Sequence, residues 1–114
     1  MTQSAVSGVT ANDNPIAVAF ARESHMRQDA EGFAHSCDAL ALAERANHRL
    51  IGGPTLIVTG DEDAVGPVSV AHELASRIGG AKTVVLHRCG HWTPIEKSRE
   101  CGTLLSDFLR GITI

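Results

Sequence analysis

The sequence carries no excess of basic charge. Ten lysines and arginines stand against thirteen aspartates and glutamates, a net charge of −3 over 114 residues, which excludes a strongly basic nucleic-acid binder. There is no long hydrophobic run either: the uncharged stretch over residues 50–60 is far too short to span a bilayer. No basic residue precedes Arg22 and no apolar run near the start could serve as a signal peptide, so export is not expected. The three cysteines, Cys37, Cys89 and Cys101, are an odd number at irregular spacing. That argues against a disulfide framework and makes a reducing cytoplasm the expected compartment. Internal repeats and low-complexity segments are absent as well. What is present is 43% hydrophobic residues against 20% charged, enough apolar side chain for one small folded domain.

Periodicity divides the chain in two. Residues 1–13 are small and polar without a period and are expected to form a flexible tail. Asn14 has the chemistry of an N-cap with Pro15 at the first helical position, and Ile16, Ala19 and Phe20 fall on one face of a helix running to about Met26. Asp29 is placed to cap a second helix reaching Asn47, with Phe33, Cys37, Leu40 and Ala41 as its apolar stripe. At Gly52 the texture changes. Residues 55–59 are a short, β-branched, continuously apolar run, the pattern of a parallel strand covered on both faces. A turn over 60–67 follows, then a helix turning Val70, Ala71, Leu74, Ala75 and Ile78 inward and stopped by Gly79 and Gly80. A second such strand occupies 83–86, and a loop over 88–97 leads to a last helix capped by Ser98, with Cys101, Leu104, Leu105, Phe108 and Leu109 as its stripe. The order is two helices, then βαβα. Only two strands are visible, and parallel strands of this kind need covered edges.

Two loops follow the C-terminal ends of these strands, the rim where open parallel sheets bind ligands. One carries Asp61, Glu62 and Asp63; the other carries Gly90-His91-Trp92. A carboxylate that accepts the Nδ1 proton of an imidazole fixes its tautomer and leaves Nε2 as a general base. Read alone, Asp63 fits equally well as a turn residue bonding its own loop, and Trp92 fits either the mouth of a site or a plug over the core. Asp61 and Glu62 read as solvated turn carboxylates. His87, Cys89 and His91 alternate and would share one face of an extended strand, but no paired ligands on a tight knuckle accompany them, so no metal is expected. Cys37 and Cys101 read as small core residues, and His25, His35, His48 and His72 as decoration of solvated helix faces.

The run Gly60-Asp61-Glu62-Asp63-Ala64-Val65-Gly66-Pro67 resembles the G-x-x-D-x-x-x-P acid loop of α/β-hydrolases, with the acid at Asp63. Gly90-His91-Trp92 with Glu96 is similar to their G-H-x-x-x-x-E segment, where the histidine is the base. The likeness covers roughly residues 53–111, and residues 29–44 resemble the helix leaving the cap in enol-lactonase-like members. Relatives commonly have proline where Ser98 stands. The resemblance implies a partial α/β-hydrolase fold: the tail at 1–13, a helical cap-derived segment at 14–50, and the C-terminal part of the core at 51–114. It implies His91 as general base, Asp63 orienting it, no cofactor, and a small ester or lactone as substrate.

The family's nucleophile, a serine on a G-x-S-x-G elbow, is absent. Ser36 lies in Ala34-His35-Ser36-Cys37-Asp38 without either glycine, and Ser69 follows the acid rather than preceding it. No His-Gly oxyanion motif follows a strand. The expectation is therefore a truncated or split hydrolase with little activity alone. The alternative is a non-catalytic module that pairs, with a second copy or a complementing chain, through its open sheet edge.

Overall fold

The computed structural model describes residues 5–112. Helix α1 spans Gly8–Asp13, α2 Pro15–Met26 and α3 Ala30–Ala41; a 3-10 turn covers His48–Leu50. Strand β1 (Leu56–Gly60), helix α4 (Val68–Arg77) and strand β2 (Lys82–Leu86) form the βαβ unit, closed by α5 (Thr93–Glu96) and α6 (Ser98–Arg110). The strands run parallel with Leu56 opposite Lys82 and Gly60 opposite Leu86. This register sets the loops after Gly60 and Leu86 side by side. Helix α4 packs on both strands, and α5 meets β1 and carries α6.

Local signals account for most boundaries. The Asn14 side chain accepts the Ala17 N–H at 3.1 Å and the Asp29 carboxylate accepts the Gly32 N–H at 2.8 Å, each satisfying a donor that a helix start leaves free. Gly80 takes the left-handed conformation at φ +74° in the turn after α4, where a side chain would be strained.

Four expectations change. Residues 5–13 are not a loose tail: Ser7 caps α1, its Oγ accepting the Thr10 N–H, and Val6, Ser7 and Thr10 are buried. The part of that tail over residues 1–4 lies outside the described residues. The second long helix ends at Ala41 rather than Asn47. Ser98 is the first residue of α6 and makes no capping bond, because the loop before it contains α5 and the chain turns from one helix directly into the next. The helix faces also differ. Ala17 and Ala21 are the buried residues of α2, whereas Ile16 is 80% and Phe20 57% exposed, since α2 is held by α1 and α5 on its alanine side. In α3 no residue is buried, and the Phe33 and Leu40 stripe faces open solvent.

Among the described residues β1 and β2 form the whole sheet, with no third strand on either edge. The apolar residues Leu56, Ile57 and Val58 are accordingly only half-buried. No helix among the described residues is long and apolar enough to cross a membrane.

Candidate active site

The two strand-following loops meet at Gly60. A Cβ there would run into the carbonyl of Cys89, so only glycine lets the two loops come this close. The Asp61 and Glu62 N–H groups donate across the gap to Leu86 and Cys89 carbonyls at 3.0 and 2.9 Å, extending the strand pairing into the loops themselves.

Asp63 sits at the turn that follows. Its Oδ1 accepts the N–H groups of Val65 and Gly66, both at 2.8 Å, which folds the loop around the carboxylate. The His91 Nδ1 lies 3.0 Å from Asp63 Oδ2 and 3.2 Å from Oδ1. The Asp63 side chain is 7% exposed, that of His91 41%. Burial alone would raise the Asp63 pKa, but the Gly66 N–H, the His91 ring and the Val65 N–H outweigh it and hold the carboxyl below its ordinary value. An ionised carboxylate only accepts, so the proton between the two groups belongs to His91 Nδ1. Asp63 thus both closes its own turn and hydrogen-bonds His91.

A second pair lies beside the first. His87 Nδ1 donates to Asp61 Oδ2 at 2.6 Å, and Asp61 Oδ1 accepts the Cys89 N–H at 3.2 Å. Between them Arg88 adopts a positive φ of 54°, a conformation a non-glycine residue holds only when its neighbours fix it. Partial burial works to raise the Asp61 pKa, but the Cys89 N–H and His87 lower it overall. Asp61 is an exposed turn residue, as its sequence suggests, and in addition clasps the two loops together. Glu62 is engaged too, accepting the Gly8 N–H at 2.9 Å.

Beneath His91 lies Glu96, 8% exposed. Its Oε2 accepts the Ser7 and Gly90 N–H groups at 2.8 and 3.1 Å, and its Oε1 the Trp92 N–H at 3.1 Å. Burial opposes its charge, yet those donors and the Thr10 and Ser7 hydroxyls keep its pKa below the ordinary glutamate value. The bonds of Glu62 to Gly8 and of Glu96 to Ser7 escaped the sequence because residues 5–8 have no pattern.

Trp92 stands edge-on between His25 of α2, with centroids 5.3 Å apart, and His91 at 5.8 Å. It therefore walls His91 on the side of α2, and His25 is a packing residue there. The alternating His87, Cys89 and His91 do not share a face: the two histidines turn to separate aspartates while Cys89 is fully buried. Burial, with the nearby charge of Glu96, pushes the Cys89 thiol up to about 12, so it stays protonated and unreactive at neutral pH. No serine hydroxyl is bonded to His91 among the described residues; Ser7 is buried with its Oγ turned to Thr10, and Ser36 Oγ bonds back to Gly32.

A family model described as TAP-like protein matches residues 25–113, more than half of the chain. A 2-hydroxymuconate semialdehyde hydrolase of Pseudomonas sp. (strain CF600) is 40% identical over 72 residues, covering 63% of this chain and 25% of that protein. A monoacylglycerol lipase of Xenopus laevis is 36% identical over 75 residues, covering 60% and 22%. The chain thus spans about a quarter of the length of these curated relatives. Among solved structures, the enol-lactonase of Burkholderia xenovorans LB400 superposes with a TM-score of 0.84 at 28% identity, over 92% of this chain and 40% of that one. A thermophilic esterase of Thermogutta terrifontis gives a TM-score of 0.91 at 22% identity, over 96% and 41%, a likeness of fold alone.

Proposed function

The chain belongs to the α/β-hydrolase family of TAP-like proteins, and from that premise we propose that it supplies the acid and the general base of a serine-type hydrolase acting on carboxylic esters or lactones. The observation that carries this reading is the Asp63–His91 pair at 3.0 Å on adjoining strand-following loops. The enol-lactonase among the structural neighbours supports the substrate class.

In this reading His91 Nε2 takes the proton of a serine hydroxyl as its oxygen attacks the acyl carbon. Asp63 stabilises the imidazolium that forms, and His91 then returns the proton to the departing alkoxide. Water repeats the cycle on the acyl-enzyme, with His91 again taking and returning one proton. The serine and its oxyanion donors come from outside these 114 residues, whether in a longer chain or a separate one. Alone, the chain keeps a base with nothing to activate but water. The three free cysteines suit a reducing cytoplasm as its setting.

A second reading, a non-catalytic partner module, draws on a different observation. Strand β1 has an open edge, and beside it Leu56, Val58, Pro94, Cys101, Leu105 and Phe108 line an apolar groove between β1 and α6. A partner strand would cover both.

The base assignment is tested on the chain as it stands by nitrogen-resolved NMR of the His91 ring. The expected result is the Nδ1–H tautomer, with a far-downfield Nδ1 proton that disappears in Asp63→Ala. An Nε2–H tautomer, or a ring signal indifferent to Asp63→Ala, would overturn it.

A further inference from the structure

We propose that Glu96 is a positioning residue for His91, acting with residues 5–8 as a strap that holds the acid loop and the base loop in register. The inference rests on His91 being the base and adds what fixes it in place.

Three consecutive backbone donors surround the base, and all three are occupied. Gly90 N–H and Trp92 N–H donate to the two oxygens of Glu96, while His91 N–H donates to the Ala5 carbonyl at 2.7 Å. One buried carboxylate therefore grips the residues on either side of His91, and the strap grips His91 itself. The strap is tied at two further points: Ser7 N–H to Glu96 at 2.8 Å and Gly8 N–H to Glu62 at 2.9 Å, one residue before Asp63. The fit is close. A Cβ on Gly90 would stand 2.6 Å from the Ser7 nitrogen and 2.7 Å from the Ala5 oxygen, so backbone lies directly on backbone. With the main chain of residues 90–92 fixed, the imidazole keeps only its two side-chain torsions, and Asp63 settles those.

A carboxylate is needed because both oxygens accept. Glutamine has the same shape but turns a donor toward one set of N–H groups. Its better rotamer keeps Ser7 and Gly90 and loses Trp92, freeing the chain on one side of His91. Aspartate falls one methylene short of all three.

The test compares Glu96→Gln with Ala71→Gly, a buried helix change in α4 chosen to lower the melting temperature without touching either loop. The readout is the His91 Nδ1–H signal at neutral pH. Glu96→Gln is expected to lose it, leaving a ring that averages between tautomers, while Ala71→Gly retains it. A folded Glu96→Gln with an unchanged His91 signal, or an equal loss in Ala71→Gly, would overturn the proposal. If Glu96→Gln does not fold, amide exchange on the native chain decides. Ser7, Gly90, His91 and Trp92 are expected to be slowed together by about 100-fold or more relative to an open loop; Ser7 exchanging freely beside a protected Gly90 would refute the strap. An Nε2–H tautomer in the native chain would instead remove the base reading itself, so the two failures are distinct.

Discussion

Asp63 uses one carboxylate for two sets of bonds, closing its own turn through Val65 and Gly66 and accepting from His91. At this scale the sequence was legible where the chemistry is local: an acid in a Gly-to-Pro turn and a histidine after a glycine, each just past a strand. It was silent where a carboxylate finds its partner far along the chain, as Asp61 does with His87 and Glu96 with Ser7. The charge of these groups has a consequence for acid stability. Asp61, Asp63 and Glu96 all have pKa values below their ordinary 3.8, 3.8 and 4.5, so below about pH 4.5 the unfolded chain binds more protons than the folded one. Their contribution is complete above the ordinary values and is lost as pH falls through that range toward the folded values. A thermal melt series should therefore be flat in these groups' contribution above pH 5 and drop steeply between pH 4.5 and 3. A melting temperature that rises on acidification would contradict the ionised hydrogen-bonded network.

The elements divide in the same way. Strands β1 and β2 and helices α2, α4 and α6 were legible because their apolar spacing, and for α2 its Asn14 cap, is written in adjacent residues. Helix α1 was not, since its six residues are too few to show a period and its stability comes from docking rather than propensity. The inward faces of α2 and α3 were misjudged for a related reason. Periodicity identifies an apolar face but not whether another element covers it, and Phe20, Phe33 and Leu40 remain exposed. The docking of α1 makes its own prediction. Gly90→Ala must displace the backbone of Ala5 and Ser7, an overpacking that costs about 1–3 kcal/mol, and a chemical denaturation curve should shift accordingly. Unchanged stability in that variant would mean the strap does not lie on Gly90.

The molecule as a whole is open. Its radius of gyration is 15.7 Å, where a compact chain of this length has about 13 Å. The excess has identifiable sources: α3 has no buried residue, and among the described residues the two-stranded parallel sheet has both edges free. That openness was foreseeable from two doubly apolar strands without neighbours. It is also why the Asp63–His91 pair stands at the rim of a sheet with no serine hydroxyl bonded to it among the described residues. On the proposed function, this chain brings acid and base to a serine held elsewhere. It is tested by hydrolysis of p-nitrophenyl butyrate by the chain alone, and by the chain joined to the strands and serine-bearing elbow of a related enol-lactonase. No saturable turnover is expected alone. The joined protein should hydrolyse the ester and lose roughly 10⁴-fold in kcat with either His91→Ala or Asp63→Ala. Saturable turnover by the 114-residue chain alone, or a joined enzyme indifferent to His91, would contradict the claim.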